Sequence, residues 1–188
     1  MARIPALEPP FTPDVEAQLA TVMPPGMPPI GLFQTFAKNL PMTIAMSHWG
    51  RYELGRQLPL ALREREIIIL RTCARCRCEY KWGVHLMAFA DHTGPARDEV
   101  TSLTRGSPDD PCGTAGRQAM LIRMVDAPHD SSDVDDDLWQ SAWELFDERQ
   151  LLDVALLCGW YHTICFAART ARTDLDPGAP RFADVTAA

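Results

Sequence analysis

Apolar residues recur every three or four positions in a series of segments that proline and glycine separate from one another. The clearest segment is LALREREIIILRTCAR, residues 60–75, whose polar and apolar positions follow a helical period. Its three consecutive isoleucines would also suit a strand, but the good helix formers around them favour a helix. Arg63 and Arg65 are expected to point away from the face that carries Leu62, Glu66, Ile69 and Cys73.

The positions of proline and glycine between these segments predict about eight to nine helices. Proline and glycine end the first helix at PPGMPP, a proline opens the third, and Gly94 closes the fifth as a left-handed cap. Because the strand candidates are short and Asn-Gly or Asp-Gly turns are absent, we predict an all-α fold. The predicted helices cover residues 14–23, 31–40, 41–54, 60–75, 78–93, 95–106, 114–127, 135–146 and 148–174.

The fourth and fifth predicted helices should form an antiparallel hairpin that turns near residues 75–77 and carries the functional site. Residues 1–30 would supply an N-terminal arm and the first helix, and residues 31–174 a single helical domain. Residues 175–188 would form a C-terminal arm. Both arms could extend over a neighbouring subunit.

Composition narrows the classes of partner. The chain has 188 residues, of which 46% are apolar, enough for a sizeable core, and its net charge is -7 with a pI near 5.2. Acidic residues outnumber the Lys and Arg that a nucleic-acid surface would need, so a small molecule or a protein is the better partner.

The location expected from the sequence is cytoplasmic, with no membrane attachment. The N-terminal MARIPALEPPFTPD has prolines where a signal peptide needs a continuous apolar segment, and no run reads as a membrane span. Six cysteines, three of them within one hexapeptide, indicate a reducing compartment rather than a disulfide scaffold.

The stretch CARCRCEYKWGVH, residues 73–85, concentrates the candidate chemistry. A helix beginning near Cys78 would place Cys78, Lys81, Trp82 and His85 on one face. A thiol at a helix N-terminus, close to Lys81, is a candidate low-pKa thiolate. The alternative is that Cys78 is a small, inert, buried residue.

The segment LREREIIILRTCARCRCEYKWGVHLMAFADHTG resembles the core of the carboxymuconolactone decarboxylase and alkylhydroperoxidase D (AhpD-like) superfamily. The resemblance covers about residues 58–94 and extends more weakly to LLDVALLCGWYHTICFAARTARTDLDPG, residues 151–178. It implies an AhpD-like helical bundle that works without a cofactor. The positions in register are Glu66, Cys78, Tyr80, Trp82, His85 and Gly94.

Peroxidase members of that superfamily carry a Glu, a Cys-x-x-Cys and a His four residues after the second cysteine. Here the second cysteine position, which the resemblance assigns to peroxide attack, is Lys81, and a lysine cannot form a sulfenic acid. A thiol peroxidase would therefore have to use Cys78 with Cys76, if residues 74–77 form a loop. Cys73 and Cys76 make a second Cys-x-x-Cys, but helical geometry turns it off the His85 face.

The decarboxylase side of the superfamily needs no cysteine. The resemblance implies a histidine acting as acid or base on a carboxylated lactone beside an orienting carboxylate, and His85 and Glu66 occupy these positions. Hairpin geometry predicts that their side chains meet, within about 6 Å, and that the carboxylate raises the histidine pKa. Lys81 would pair with a substrate carboxylate, or would be a solvated surface lysine.

Each further candidate for the substrate site could instead be a packing residue of the core. Trp82 could line the substrate site or belong to the core, and Tyr161 and His162 could reach the pocket from the second half or be core residues. Four ligands at Cys73, Cys76, Cys78 and His85 fit zinc spacing poorly, so no metal site is predicted. The remaining cysteines, expected to serve packing, are Cys112, Cys158 and Cys165.

Three functions remain open: a cofactor-free lyase using His85 and Glu66, a thiol-dependent hydroperoxide reductase, and a non-catalytic oligomeric binding protein. Self-association is expected in each. The apolar run Ile67–Leu70 should leave apolar surface that one subunit cannot cover, and the resemblance implies trimers, dimers or hexamers.

Overall fold

The computed structural model describes residues 1–23, 26–110 and 116–185. These residues form α-helices and two short 3-10 turns, without a strand among them, which confirms the all-α prediction. The helices are α1 (Pro13–Val22), α2 (Gly31–Phe36), α3 (Leu40–Glu53), α4 (Leu62–Arg75), α5 (Glu79–Thr93), α6 (Arg97–Arg105), α7 (Arg117–Ser131), α8 (Asp136–Trp143) and α9 (Glu148–Ala171).

The hairpin of α4 and α5 turns where the sequence predicts. The Glu64 carboxylate accepts the Ala61 N–H at 3.0 Å and so caps the start of α4. After α4 ends, Arg77 takes a left-handed conformation with φ of 52°. Gly94, with φ of 56°, follows the end of α5 as the predicted left-handed cap.

Contacts divide the chain into two compact units, which are described separately. The first combines Met1–Leu58 with Ala167–Pro177, and the second combines Pro59–Phe166 with Gly178–Ala188. All of α4 to α8 and most of α9 belong to the second unit. The domain boundaries at residues 30 and 174 stay a prediction.

In the first unit, the N-terminal arm packs on its own chain. The backbone N–H groups of Arg3 and Ile4 donate to the carbonyl of Ala171 at 2.8 and 3.1 Å. Leu7 and Phe11, from the same arm, pack against the small core of α1 around Val15 and Leu19. The described part of this arm is therefore used within the subunit.

In the second unit, the C-terminal segment is also bound to its own chain. The ring of Phe182 packs 5.0 Å from that of Trp82, and the N–H of Phe182 donates to Glu79 at 2.7 Å. A Cβ on Gly83 would meet the Pro180 carbonyl oxygen at 2.4 Å, so only glycine allows this approach.

Helix α4 is the central element of the second unit. Each residue of Ile67–Leu70 is at most 5% exposed. The expectation that this run leaves apolar surface for another subunit is wrong, because α5, α6 and α7 all pack on α4.

Among the described residues, α9 is the one helix long and apolar enough to cross a membrane. Its most apolar window is 56% buried inside the fold. The cytoplasmic location stays a prediction.

A buried ion pair joins α4 to α7. The Arg71 guanidinium donates to both carboxylate oxygens of Asp126 at 2.8 and 2.6 Å. It also donates to the carbonyls of Leu103 and Gly106 at 3.1 and 2.9 Å. Both side chains of the pair are less than 10% exposed. Removing one charge would therefore leave the other buried and poorly paired.

We predict that Arg71→Met lowers the free energy of unfolding by about 3 kcal/mol or more, measured by urea denaturation. The matched control is Arg123→Met, which removes an ion pair to Asp109 of the same 2.6 Å length between exposed side chains. That change should cost less than about 1 kcal/mol. Equal losses in the two variants would contradict the structural role of the buried pair.

Candidate functional site

The side chains of Glu66 and His85 meet in the interior. Glu66 lies in α4 and His85 in α5, at similar distances from the hairpin turn, and the Nδ1 of His85 is 2.8 Å from Oε2 of Glu66. The two residues are 3% and 2% exposed. Their predicted contact is therefore confirmed.

Tyr161 extends this pair to a chain of three groups. Its hydroxyl, carried by α9, lies 2.9 Å from Nε2 of His85, and the two rings meet edge to face with centroids 5.1 Å apart. An ionised Glu66 accepts the Nδ1 proton, so a neutral His85 offers the Nε2 lone pair to the Tyr161 O–H. We call this arrangement the Glu66–His85–Tyr161 chain.

Burial and neighbouring charges set the protonation states of Glu66, His85 and Tyr161. Burial alone would raise the pKa of Glu66, but His85 and Arg65 outweigh it and lower that pKa. Burial lowers the pKa of His85, against the charge of Glu66, so the expected increase is wrong. Burial raises the pKa of Tyr161 and keeps the phenol protonated.

Arg65 belongs to the site, although the helical period was expected to direct it elsewhere. Its Nε donates to Oε1 of Glu66 at 3.0 Å, and its guanidinium lies 5.2 Å from the centroid of the Phe89 ring. Phe89 in turn stacks on His85 at 5.4 Å. Adjacent residues point about 100° apart on a helix, so spacing gave no signal for an Arg65–Glu66 contact.

Lys81 and Trp82 have different surroundings. Lys81 is 6% exposed, which contradicts a solvated surface lysine, and burial lowers its pKa. Its Nζ lies 6.0 Å from the centroid of the Tyr161 ring, close to the chain. Trp82 instead donates to Thr104 at 3.1 Å and contacts Phe182, so the described contacts are those of a packing residue.

Thiols gather beside Lys81. The Sγ of Cys165 lies 3.8 Å from that of Cys73, and Cys165 also hydrogen-bonds with Cys76 and Cys78. The Cys165 contact, together with the backbone N–H of Lys81, lowers the pKa of Cys78 despite burial. Packing alone was expected of Cys165. Its place one turn after Tyr161 in α9 was the available signal.

His162 faces a second group of side chains. It hydrogen-bonds with Cys158 and Cys76, which raises its pKa, and its Nε2 lies 2.8 Å from Nδ1 of His129. Hydrogen bonds from Cys165 and His162 lower the pKa of Cys76 despite burial. No motif marked His129, and Cys112 lies outside the described residues.

Glu66 also lines a small depression between α4 and α6. Arg63 and Glu99 also line it and form an ion pair at 2.6 Å. At this depression the protein surface comes close to the Glu66 carboxylate of the Glu66–His85–Tyr161 chain.

Solved structures share the fold of this protein, although comparison by sequence finds no match. No family model and no curated protein matches the chain. An uncharacterized peroxidase-related protein from Silicibacter sp. TM1040 has a TM-score of 0.80 at 15% identity, over 95% of this chain and 96% of that one. Another, from Ralstonia eutropha JMP134 and described as an alkylhydroperoxidase AhpD core, has a TM-score of 0.79 at 16% identity, over 93% of both chains.

A variant of a debrominase in complex with 2,3,4-tribromopyrrole also shares the fold. Its TM-score is 0.69 at 11% identity, over 93% of this chain and 91% of that one. The chain therefore has the AhpD-like helical fold that the resemblance implied. The names of these neighbours cover different activities, so the activity here has to be argued from its own site.

The depressed pKa of His85 predicts a pH dependence of stability. At pH values below the unfolded pKa of about 6.5, the unfolded chain binds a proton that the folded His85 does not. The free energy of unfolding should therefore fall as the pH drops from 7.5 to 5.0. His85→Gln should reduce this fall in urea titrations at each pH, while His48→Gln, at an exposed histidine, should retain it. An unchanged profile in His85→Gln would contradict a neutral buried imidazole.

Proposed function

We propose that this chain is a cofactor-free acid/base enzyme of the lyase type, acting on a carboxylated lactone or a related intermediate of aromatic breakdown. The observation that carries the proposal is the Glu66–His85–Tyr161 chain, with contacts of 2.8 and 2.9 Å between buried groups. Such an arrangement holds one tautomer of the histidine and presents a protonated phenol at its other nitrogen.

The reaction needs a proton source that remains in place after carbon dioxide leaves. The carbon–carbon bond to the carboxylate breaks, and its electron pair passes into the conjugated lactone as a dienolate. His85 takes up a proton from solvent at Nε2, where the negative charge of Glu66 stabilises the imidazolium form. The Tyr161 O–H donates its proton to the dienolate carbon and receives the Nε2 proton of His85 in exchange, so both side chains return to their neutral forms.

Lys81 would bind the carboxylate of the substrate in this proposal. Its burial disfavours the ammonium form in the free protein, as the lowered pKa indicates. A bound carboxylate would restore the charge and form a charge-assisted hydrogen bond. Because Nζ lies 6.0 Å from the centroid of the Tyr161 ring, that carboxylate would lie near the phenol that donates the proton.

Thiol-dependent reduction of hydroperoxides is the second candidate. It is favoured by the hydrogen bonds that Cys165 makes with Cys73, Cys76 and Cys78, since neighbouring thiols can form and resolve a sulfenic acid. The position that the resemblance assigns to the attacking cysteine is Lys81, however. We therefore rank it below the acid/base reaction.

We also propose that the protein associates with copies of itself through α9. An uncharged stripe on this helix is exposed, with Leu152 at 60% and Phe166 at 63%. Between them, Ala155 and Gly159 keep the helix surface low enough for a close approach, and no atom lies within 4 Å of a Cβ built on Gly159.

This assembly predicts an oligomer in light scattering at micromolar concentration. Leu152→Glu combined with Leu156→Glu should shift the protein toward monomer, because two charges would enter the apolar contact. Met87→Glu, at an exposed apolar residue of α5, is the matched control and should leave the mass unchanged. A monodisperse wild-type monomer would refute the proposal.

The enzymatic proposal predicts coupled losses of activity. With carboxymuconolactone as the probe and carbon dioxide release as the readout, Glu66→Gln and His85→Gln should each lower kcat by about a hundredfold or more. The double variant should be little worse than the worse single one, because the two side chains act as a unit. Tyr161→Phe should also lower kcat by removing the proposed proton donor.

Tyr80→Phe is the matched control. It changes a buried tyrosine of α5 that does not belong to the Glu66–His85–Tyr161 chain, so the variant should retain activity. Additive losses at Glu66 and His85 would contradict the unit. Turnover of cumene hydroperoxide with dithiothreitol, abolished by Cys165→Ser but not by His85→Gln, would replace the acid/base proposal with the thiol one.

A further inference from the structure

We propose that Cys76, His129 and His162 form a binding site for one zinc ion, separate from the Glu66–His85–Tyr161 chain. We call these three residues the Cys-His-His cluster. The inference goes beyond the proposed lyase reaction and needs none of its residues. It revises the expectation that no metal site exists, and it uses a different ligand set from Cys73, Cys76, Cys78 and His85.

The three ligands come from separate parts of the second unit. Cys76 lies in the turn after α4, His129 in the last turn of α7, and His162 in the middle of α9. Their positions are far apart in the chain, so sequence spacing gives no zinc motif. The fold alone brings them together.

The donor atoms have nearly the spacing of a zinc site. One donor from each residue lies within 4.8 Å of the other two. Zinc bonds of about 2.1 Å to nitrogen and 2.3 Å to sulfur place tetrahedral ligand atoms about 3.3 to 3.6 Å apart. The nitrogens of His129 and His162 lie 2.8 Å apart, so they would separate by about half an ångström around the ion.

The ring of His162 is already oriented for coordination. Its Nδ1 lies 2.8 Å from the backbone carbonyl oxygen of Cys158, one turn earlier in α9. An Nδ1–H donated to that carbonyl directs Nε2 at His129, and an incoming ion would displace the proton shared by the two facing nitrogens. A backbone acceptor on the second nitrogen is the usual support of a metal-binding histidine.

The donor set selects the kind of ion. One thiolate and two imidazoles suit zinc, whereas magnesium and calcium require oxygen ligands. Both histidines are only partly buried, so a water molecule can complete a tetrahedral shell from the solvent side. An ion held there would join the α4–α5 turn to α7 and α9. It would also coordinate the Cys76 thiolate and so make that sulfur unavailable to other reactions.

Cobalt(II) is a suitable spectroscopic probe of this site in the full-length protein. Reduced protein freed of metal with a chelator should bind one Co²⁺ per chain, with a thiolate-to-cobalt charge-transfer band and the visible bands of tetrahedral cobalt. Stoichiometric Zn²⁺ should abolish both. Absence of the charge-transfer band, or a stoichiometry other than one, would overturn the proposal.

Ligand variants locate the ion. Cys76→Ser should remove the charge-transfer band, and His129→Gln and His162→Gln should each weaken Zn²⁺ binding by more than about tenfold in calorimetry. Cys73→Ser is the matched control, because it removes a buried thiol of the adjacent cluster and should leave binding unchanged. Loss of binding in Cys73→Ser, or normal binding in His129→Gln, would assign the ion to another site.

A measurement on the unaltered protein guards against variants that do not fold. Zn²⁺ should slow the alkylation of Cys76 by iodoacetamide by at least about tenfold, followed by mass spectrometry of its peptide. The Cys73 peptide is the internal control, because Cys73 is the thiol of the control variant, and it should show no such protection. Equal rates at Cys76 with and without Zn²⁺ would refute the site.

Discussion

Every charge that α4 carries into the interior needs a partner there, and this constraint organises the second unit. A buried ion without partners costs several kilocalories per mole, so a helix covered by three others can carry charges only where opposite charges or hydrogen-bonding groups surround them. Arg71 pairs with Asp126 of α7, and Glu66 pairs with Arg65 of its own helix and accepts the Nδ1–H of His85 from α5. The first pair serves packing. The second leaves an imidazole nitrogen directed at Tyr161, where acid/base chemistry becomes possible.

Helical periodicity and punctuation were sufficient to predict the all-α fold, the hairpin and its turn. They failed where several helices combine to cover one another. The Ile67–Leu70 run suggested excess apolar surface because each helix was considered with only one buried face, whereas α4 is covered on several sides. The exposed apolar stripe lies instead on α9, whose average hydrophobicity gave no indication of which face would remain open.

In the candidate site, contacts within one hairpin could be predicted from the sequence, whereas contacts between distant elements could not. The Glu66–His85 contact could be predicted because both residues lie on one hairpin, where distance along the chain fixes their height. The Cys-His-His cluster could not, since its members come from three elements whose relative placement depends on the whole core. The error in the pKa of His85 has a related cause: sequence identifies the neighbouring carboxylate but not the depth of burial, and burial prevails here.

Gly83 has a consequence for how such a protein can evolve. The Pro180 carbonyl occupies the space that a Cβ would need, so any larger residue at position 83 requires the C-terminal segment to take another path. That segment also contributes Phe182 to the packing of Trp82. Because the oxygen at position 180 belongs to the backbone, a larger residue at position 83 is expected in relatives whose C-terminal segment takes another path, whichever residue stands at position 180. A glycine aligned with Gly83 would identify those relatives whose C-terminal segment can follow the same course.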